Sequence, residues 1–147
     1  MDLTVAKKIL ETGIRFVANS GLRVVEIERG RVKCMMPFKD NGNHIGTMYA
    51  GALFTLAEIP GGALLLSSFD TARYYPVVKE LNLRFLKPAK SDVTVELKLD
   101  ESRIAELQTQ ADTAGKAEFV LEAELKDTSG IVVATSHGVY QIRANAR

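Results

Sequence analysis

Residues Asn43–Ser68, NHIGTMYAGALFTLAEIPGGALLLSS, decide how this chain folds. Gly and Asn crowd the start of the stretch, and residues 40–48, DNGNHIGTM, read as a loop. From about Ala50 to Ser68 the chain is at its most apolar. Length and Ala and Leu content predict a helix there rather than a strand. Because this helix is apolar nearly all round, it has to be buried on most sides and belongs at the centre of the fold. One carboxylate, Glu58, interrupts the run. It is a partly exposed helix residue, a buried acid paired with a Lys or Arg, or a charge kept beside an apolar cavity because chemistry needs it.

Working outward, Leu3, Ala6, Leu10, Ile14 and Val17 recur at helical spacing, which predicts one amphipathic helix over residues 3–18, stopped by Asn19-Ser20-Gly21. Val24, Val25 and Ile27 before Arg29-Gly30, and Val32, Cys34 and Met36 after it, predict a first hairpin. Four strand-like stretches follow the central helix. VKELNLRFL sets Leu81, Leu83 and Phe85 against Glu80, Asn82 and Arg84, and VTVELKL, AEFVLEAELK and IVVATSHGVYQI come after it. Clean alternation predicts antiparallel strands with one wet face, and the connections at residues 87–91 and 126–130 have hairpin length. Residues 101–115 read as a short surface helix anchored by Ile104 and Leu107 and ended by Gly115. An antiparallel sheet with one apolar face and one all-apolar helix predict an α+β domain in which the sheet curls around the helix.

At 147 residues the chain suits a single domain, residues 1–147, with a proper core. It is 46% hydrophobic and 25% charged, with a net charge of +1 and no basic block, so nothing suggests nucleic acid as a partner. The apolar runs are broken by Glu, Pro and Gly before they could span a membrane, and the first residues lack the continuous apolar region of a signal peptide. A cytoplasmic protein is the expectation. Cys34 cannot form an internal disulfide, and two lone histidines, His44 and His137, make no metal site.

The element order and the loop-to-helix motif resemble the hotdog fold, in particular its thioesterases of the phenylacetic-acid-degradation type. The pattern in that family is Asn, two residues, Gly, two residues, His-Gly-Gly and then a helix carboxylate; here it reads Asn43, Gly46, Tyr49-Ala50-Gly51 and Glu58. A second landmark, an aromatic residue followed shortly by Pro-Ala, fits Phe85 and Pro88-Ala89. The spacing also has a physical reading. The first amides of a helix starting near Ala50 are unpaired and sit at the positive end of its dipole, where they can polarise a thioester carbonyl. Glu58 stands roughly 12 Å further along the axis on nearly the same side, leaving room for an acyl group and a water. One site is therefore expected to polarise the carbonyl and attack it, with the carboxylate as general base or nucleophile.

The resemblance implies an acyl-CoA or acyl-carrier thioester hydrolase needing no cofactor beyond the coenzyme A of its substrate. It implies a homodimer, with a tetramer as a further option, because that family builds its sites between subunits. The implied catalytic residues are Glu58, the Ala50 amide, Asn43 and Tyr49, the last replacing the family's His as a hydrogen-bond donor that does not titrate near neutrality. Gly51, Gly46 and His44 are expected in the loop that meets the substrate, His44 as a polar loop residue and not a catalyst. Val78 falls where several members carry a partner-strand Ser or Thr, and residues 77–86 contain no hydroxyl; Asn82 or Lys79 is the expected replacement. Arg84 and Lys87 are candidates for coenzyme A phosphates, or simply solvated charges. A hydratase on this fold lacks its usual Phe-Pro-Gly context here, whereas a non-catalytic acyl-CoA or lipid-binding protein remains the alternative function.

Overall fold

The computed structural model describes residues 2–146. Asp2 caps α1 (Leu3–Thr12) by accepting from the Thr4 amide, and a short α2 (Arg15–Ser20) follows. The single helix expected over residues 3–18 is therefore two. Gly13 donates its N–H to Ile9 O and ends α1, and Ile14 turns extended (φ −110°, ψ 116°), so the chain bends back towards the sheet. Ala6, Leu10 and Val17 are buried, but Ile14, which an unbroken helix would have buried, is 54% exposed.

Hairpin β1 (Arg23–Glu28) and β2 (Arg31–Met36) forms around Gly30, and Val32, Cys34 and Met36 all point into the core. The central helix is α3 (Ala50–Ser68), which runs through Pro60 without a break. After it come β3 (Tyr74–Phe85), β4 (Val93–Lys98), α4 (Glu101–Ala114), β5 (Lys116–Asp127) and β6 (Val132–Ala144). All neighbouring strands are antiparallel, in the order β1-β2-β4-β5-β6-β3, and α3 packs against all six. Among the described residues α3 alone is long and apolar enough to cross a membrane, but here it is the core helix. Asp100 caps α4, Ile104, Leu107 and Ala111 anchor it, and Gly115 ends it at φ +79°, where a side chain would be strained.

Two features of the sheet differ from the sequence expectation. The connection after β3 is no hairpin: β3 pairs with β6, while β4 pairs with β2 and β5. Residues 86–92 instead cross the open end of the sheet. Leu86 and Lys87 both donate their N–H to Val133 O, and Ala89 O accepts from the Met48 amide. This crossing carries the chain past the start of α3. The second difference is that β3 is an edge strand, so its apolar side is only partly covered: Leu81 and Leu83 are half-buried, and Phe85 is 52% exposed.

Candidate active site

The loop before α3 explains its own sequence. The Asn43 side chain accepts from the Ile45 and Thr47 amides at 3.0 Å each and donates to Thr47 Oγ1 at 2.8 Å. Asn43 therefore holds the loop in shape. Gly46, at φ +80°, takes the left-handed position that closes the turn. The Met48 amide goes to Ala89 O and the Tyr49 amide to Asn41 O. Asn41 is anchored in turn by donating to Ser20 O and Pro37 O, a role the sequence reading missed.

With these bonds made, the next amides lie open. Tyr49 is the N-cap and contributes no side-chain cap, and the Ala50 and Gly51 N–H groups have no acceptor among the described residues. Tyr49 has its ring folded over Gly51, where an added Cβ would lie 2.4 Å from the ring. A side chain at the second glycine of the motif would push this exposed ring aside.

A pocket of about 290 Å³ opens at this helix start, between Asn43, Thr47, Ala50 and Leu53 on one side and residues 85–89 on the other. The backbone crossing after β3 forms its second wall, and Lys87 lines the pocket there. His44 and Gly46 remain on the exposed outer side of the loop. Val78 lies on the inner side of β3, paired with Tyr140 of β6. Asn82 and Arg84, paired with His137 and Thr135, face the other way. They line a separate polar groove of about 1030 Å³ on the convex side, where His137 Nδ1 lies 2.9 Å from Glu122 Oε1.

Glu58 is half-buried on α3. It makes no hydrogen bond or ion pair with any described residue, and burial pushes its carboxyl above the usual range. A structural acid paired with Lys or Arg is thereby excluded among the described residues. Of the positions of α3 that are not buried, Gly51, Phe54, Glu58, Gly62 and Leu66 recur every three or four residues and form one stripe, with Ala50 and Ser67 open at the two ends of the helix. Glu58 does not reach the pocket at Ala50, because eight residues of helix separate the two by roughly 12 Å. Among the described residues no group of three or more His, Cys, Asp or Glu is arranged to hold a metal ion.

Residues 5–142 match the family described as a domain of unknown function, DUF4442. The chain belongs to that family. Among solved structures, a Pseudomonas aeruginosa protein described as of unknown function and a probable thioesterase is 54% identical to this DUF4442 chain. It superposes with a TM-score of 0.95 over 99% of this chain and 97% of that one. A Chlorobaculum tepidum protein of unknown function matches with a TM-score of 0.84 at 19% identity, over 97% of this chain and 94% of that one. A Haemophilus influenzae thioesterase matches with a TM-score of 0.74 at 14% identity, over 98% and 92%. At such identities these last two likenesses show the fold alone. No curated protein is significantly similar to the chain. This DUF4442 domain has the hotdog fold, its curved antiparallel sheet wrapped around α3.

Proposed function

We propose that this protein is an acyl thioester hydrolase, acting on acyl-CoA or an acyl-carrier thioester as a homodimer. The observation that carries this reading is the pairing of a free amide at a pocket, Ala50, and the free Gly51 amide that follows it with a half-buried carboxylate, Glu58, that has no hydrogen bond or ion pair among the described residues. The probable-thioesterase description of the 54% identical Pseudomonas aeruginosa protein supports it. In the reaction, the water oxygen attacks the thioester carbonyl carbon while Glu58 takes the water proton. The oxyanion that forms is held by the Ala50 and Gly51 N–H groups, aided by the positive end of α3. Collapse breaks the C–S bond, and Glu58 returns the proton to the departing thiolate, leaving a carboxylic acid and a thiol.

Both groups must lie within a few ångströms of one carbonyl, which one copy of α3 cannot arrange. A second copy can. β3 is an edge strand of 12 residues, and Phe54 (43% exposed), Val78 (37%) and Phe85 (52%) stand uncovered beside it. An exposed edge of this kind invites pairing with another strand. A two-fold axis near Phe54, midway between Ala50 and Glu58, would set the carboxylate of one copy opposite the amides of its partner.

The competing reading, an acyl-thioester binding protein without turnover, draws on Val78, which offers no hydroxyl beside the site. Release of free thiol from short-chain, long-chain and aromatic acyl-CoAs, measured for the wild type and Glu58→Gln, separates the two. The hydrolase reading expects turnover that Glu58→Gln abolishes with the fold intact; saturable binding with no turnover across the panel would support the other.

A further inference from the structure

Tyr140, on β6, is a buried phenol that the mechanism above leaves unused. Its ring is only 1% exposed and is gripped between two glycines. A Cβ on Gly61 of α3 would lie 2.2 Å from its Cε1 and 2.6 Å from its hydroxyl oxygen, and a Cβ on Gly138 would lie 2.4 Å from its Cε2. Helix and strand therefore fix the direction of the ring, and Phe119 stacks on it at 6.1 Å between centroids. A tyrosine buried this deeply usually gives its O–H a partner. Here the hydroxyl makes no hydrogen bond with any described residue. No fully buried side-chain polar atom of the described residues lacks a partner, so the small exposed part of Tyr140 is its hydroxyl.

The other unpartnered group, Glu58, is near enough for its charge to act on the phenol, although the two are not hydrogen-bonded in this structure. Gly61 is three residues past Glu58, and positions so spaced on a helix lie about 5–6 Å apart at Cβ. The carboxylate, two carbons beyond its Cβ, has the reach to meet a hydroxyl that lies against Gly61. Burial, and after it the charge of Glu58, push the Tyr140 phenol up to about 12, so it stays a proton donor throughout the working range. Other titratable groups turned towards α3 are occupied elsewhere. Cys34 is raised by burial and by Glu11, Glu11 accepts from the Val24 amide, and Tyr74 bonds to Asp112.

We propose that Tyr140 is a positioning residue for Glu58, its phenolic O–H donating to the carboxylate and holding it in the rotamer that takes the proton from water. This rests on the hydrolase reading given above, and it supplies from within the same chain the hydroxyl that residues 77–86 lack. A donor to the charged carboxylate favours that form and opposes the effect of burial.

The test is Tyr140→Phe, which keeps the ring between its glycines and removes only the oxygen. Glu58 is titrated through its side-chain ¹³C carboxyl signal, assigned by its loss in Glu58→Gln, in the wild type and in Tyr140→Phe. The Glu58 pKa should rise by about one unit in Tyr140→Phe. In thioester hydrolysis kcat should fall about tenfold or more with KM little changed, and the acid limb of the pH profile should move up with the titration. An identical Glu58 titration in both proteins would overturn the proposal. Because the titration needs no turnover, an inactive wild type would remove the hydrolase reading while leaving the Tyr140–Glu58 contact decided on its own.

Discussion

Glu58 is a carboxylate held partly out of water with no cation paired to it among the described residues, and that has a cost to stability whose sign can be checked. Its folded-state pKa is raised, so at intermediate pH the unfolded chain binds fewer protons than the folded one, and stability falls as pH rises through that window. Below the ordinary glutamate range both states are protonated and the cost disappears. Glu58→Gln, uncharged at every pH, should therefore be more stable than the wild type at about pH 7, and the advantage should close at about pH 4, as read by thermal unfolding at each pH. A variant less stable at neutral pH would mean that the carboxylate serves the fold. Asn43 illustrates the reverse case. The sequence motif marked it as a site residue, yet its side chain is spent on Ile45 and Thr47, so its part in the site is to shape the loop that frees the Ala50 and Gly51 amides.

At the scale of elements, α3 is both the core and the frame of the site, and its contact with β6 depends on glycine. Gly61→Ala would drive a methyl to within 2.2 Å of the Tyr140 ring, and should lower stability by about 1–3 kcal/mol in chemical denaturation. An unchanged denaturation midpoint would mean that the ring moves freely. Helix α3 was legible to the residue because a long apolar run following a Gly- and Asn-rich loop leaves few other readings. The break at Gly13 was not, because the apolar spacing continues through it and only the turn towards β1 interrupts the helix. Nor was the partner of β3: residues 86–92 are as short as a hairpin loop, and only the curvature of the sheet lets them cross its end. That crossing builds the second wall of the pocket, which explains why Lys87 lines it while Asn82 and Arg84 line the groove on the convex face. Tyr140 was hidden for a related reason, since on the sequence it is one more inward residue of an alternating strand. Its grip between Gly61 and Gly138, on which the proposed link to Glu58 rests, appears only when helix and strand are seen together.

At the scale of the whole molecule, the separation of Glu58 from the α3 amides means that the proposed hydrolysis needs two copies, which mixed dimers can test. Ala50→Pro removes one of the two amide donors at the first helical position, where proline is well tolerated, and Tyr49 already has the extended backbone that a following proline requires (φ −58°, ψ 136°). Ala50→Pro and Glu58→Gln should each be nearly inactive alone. Co-expressed and purified as a heterodimer through two different tags, they should recover about half the activity of the wild type, since one of the two shared sites is then intact. A heterodimer as inactive as its parents would place the whole site within one chain. The central claim is tested most directly by the steady-state rate of thiol release from acyl-CoA by the wild type and by Glu58→Gln. The predicted result is clear turnover by the wild type and a loss of about 10²–10⁴-fold in kcat for Glu58→Gln with its fold unchanged; equal rates for the two proteins would contradict it.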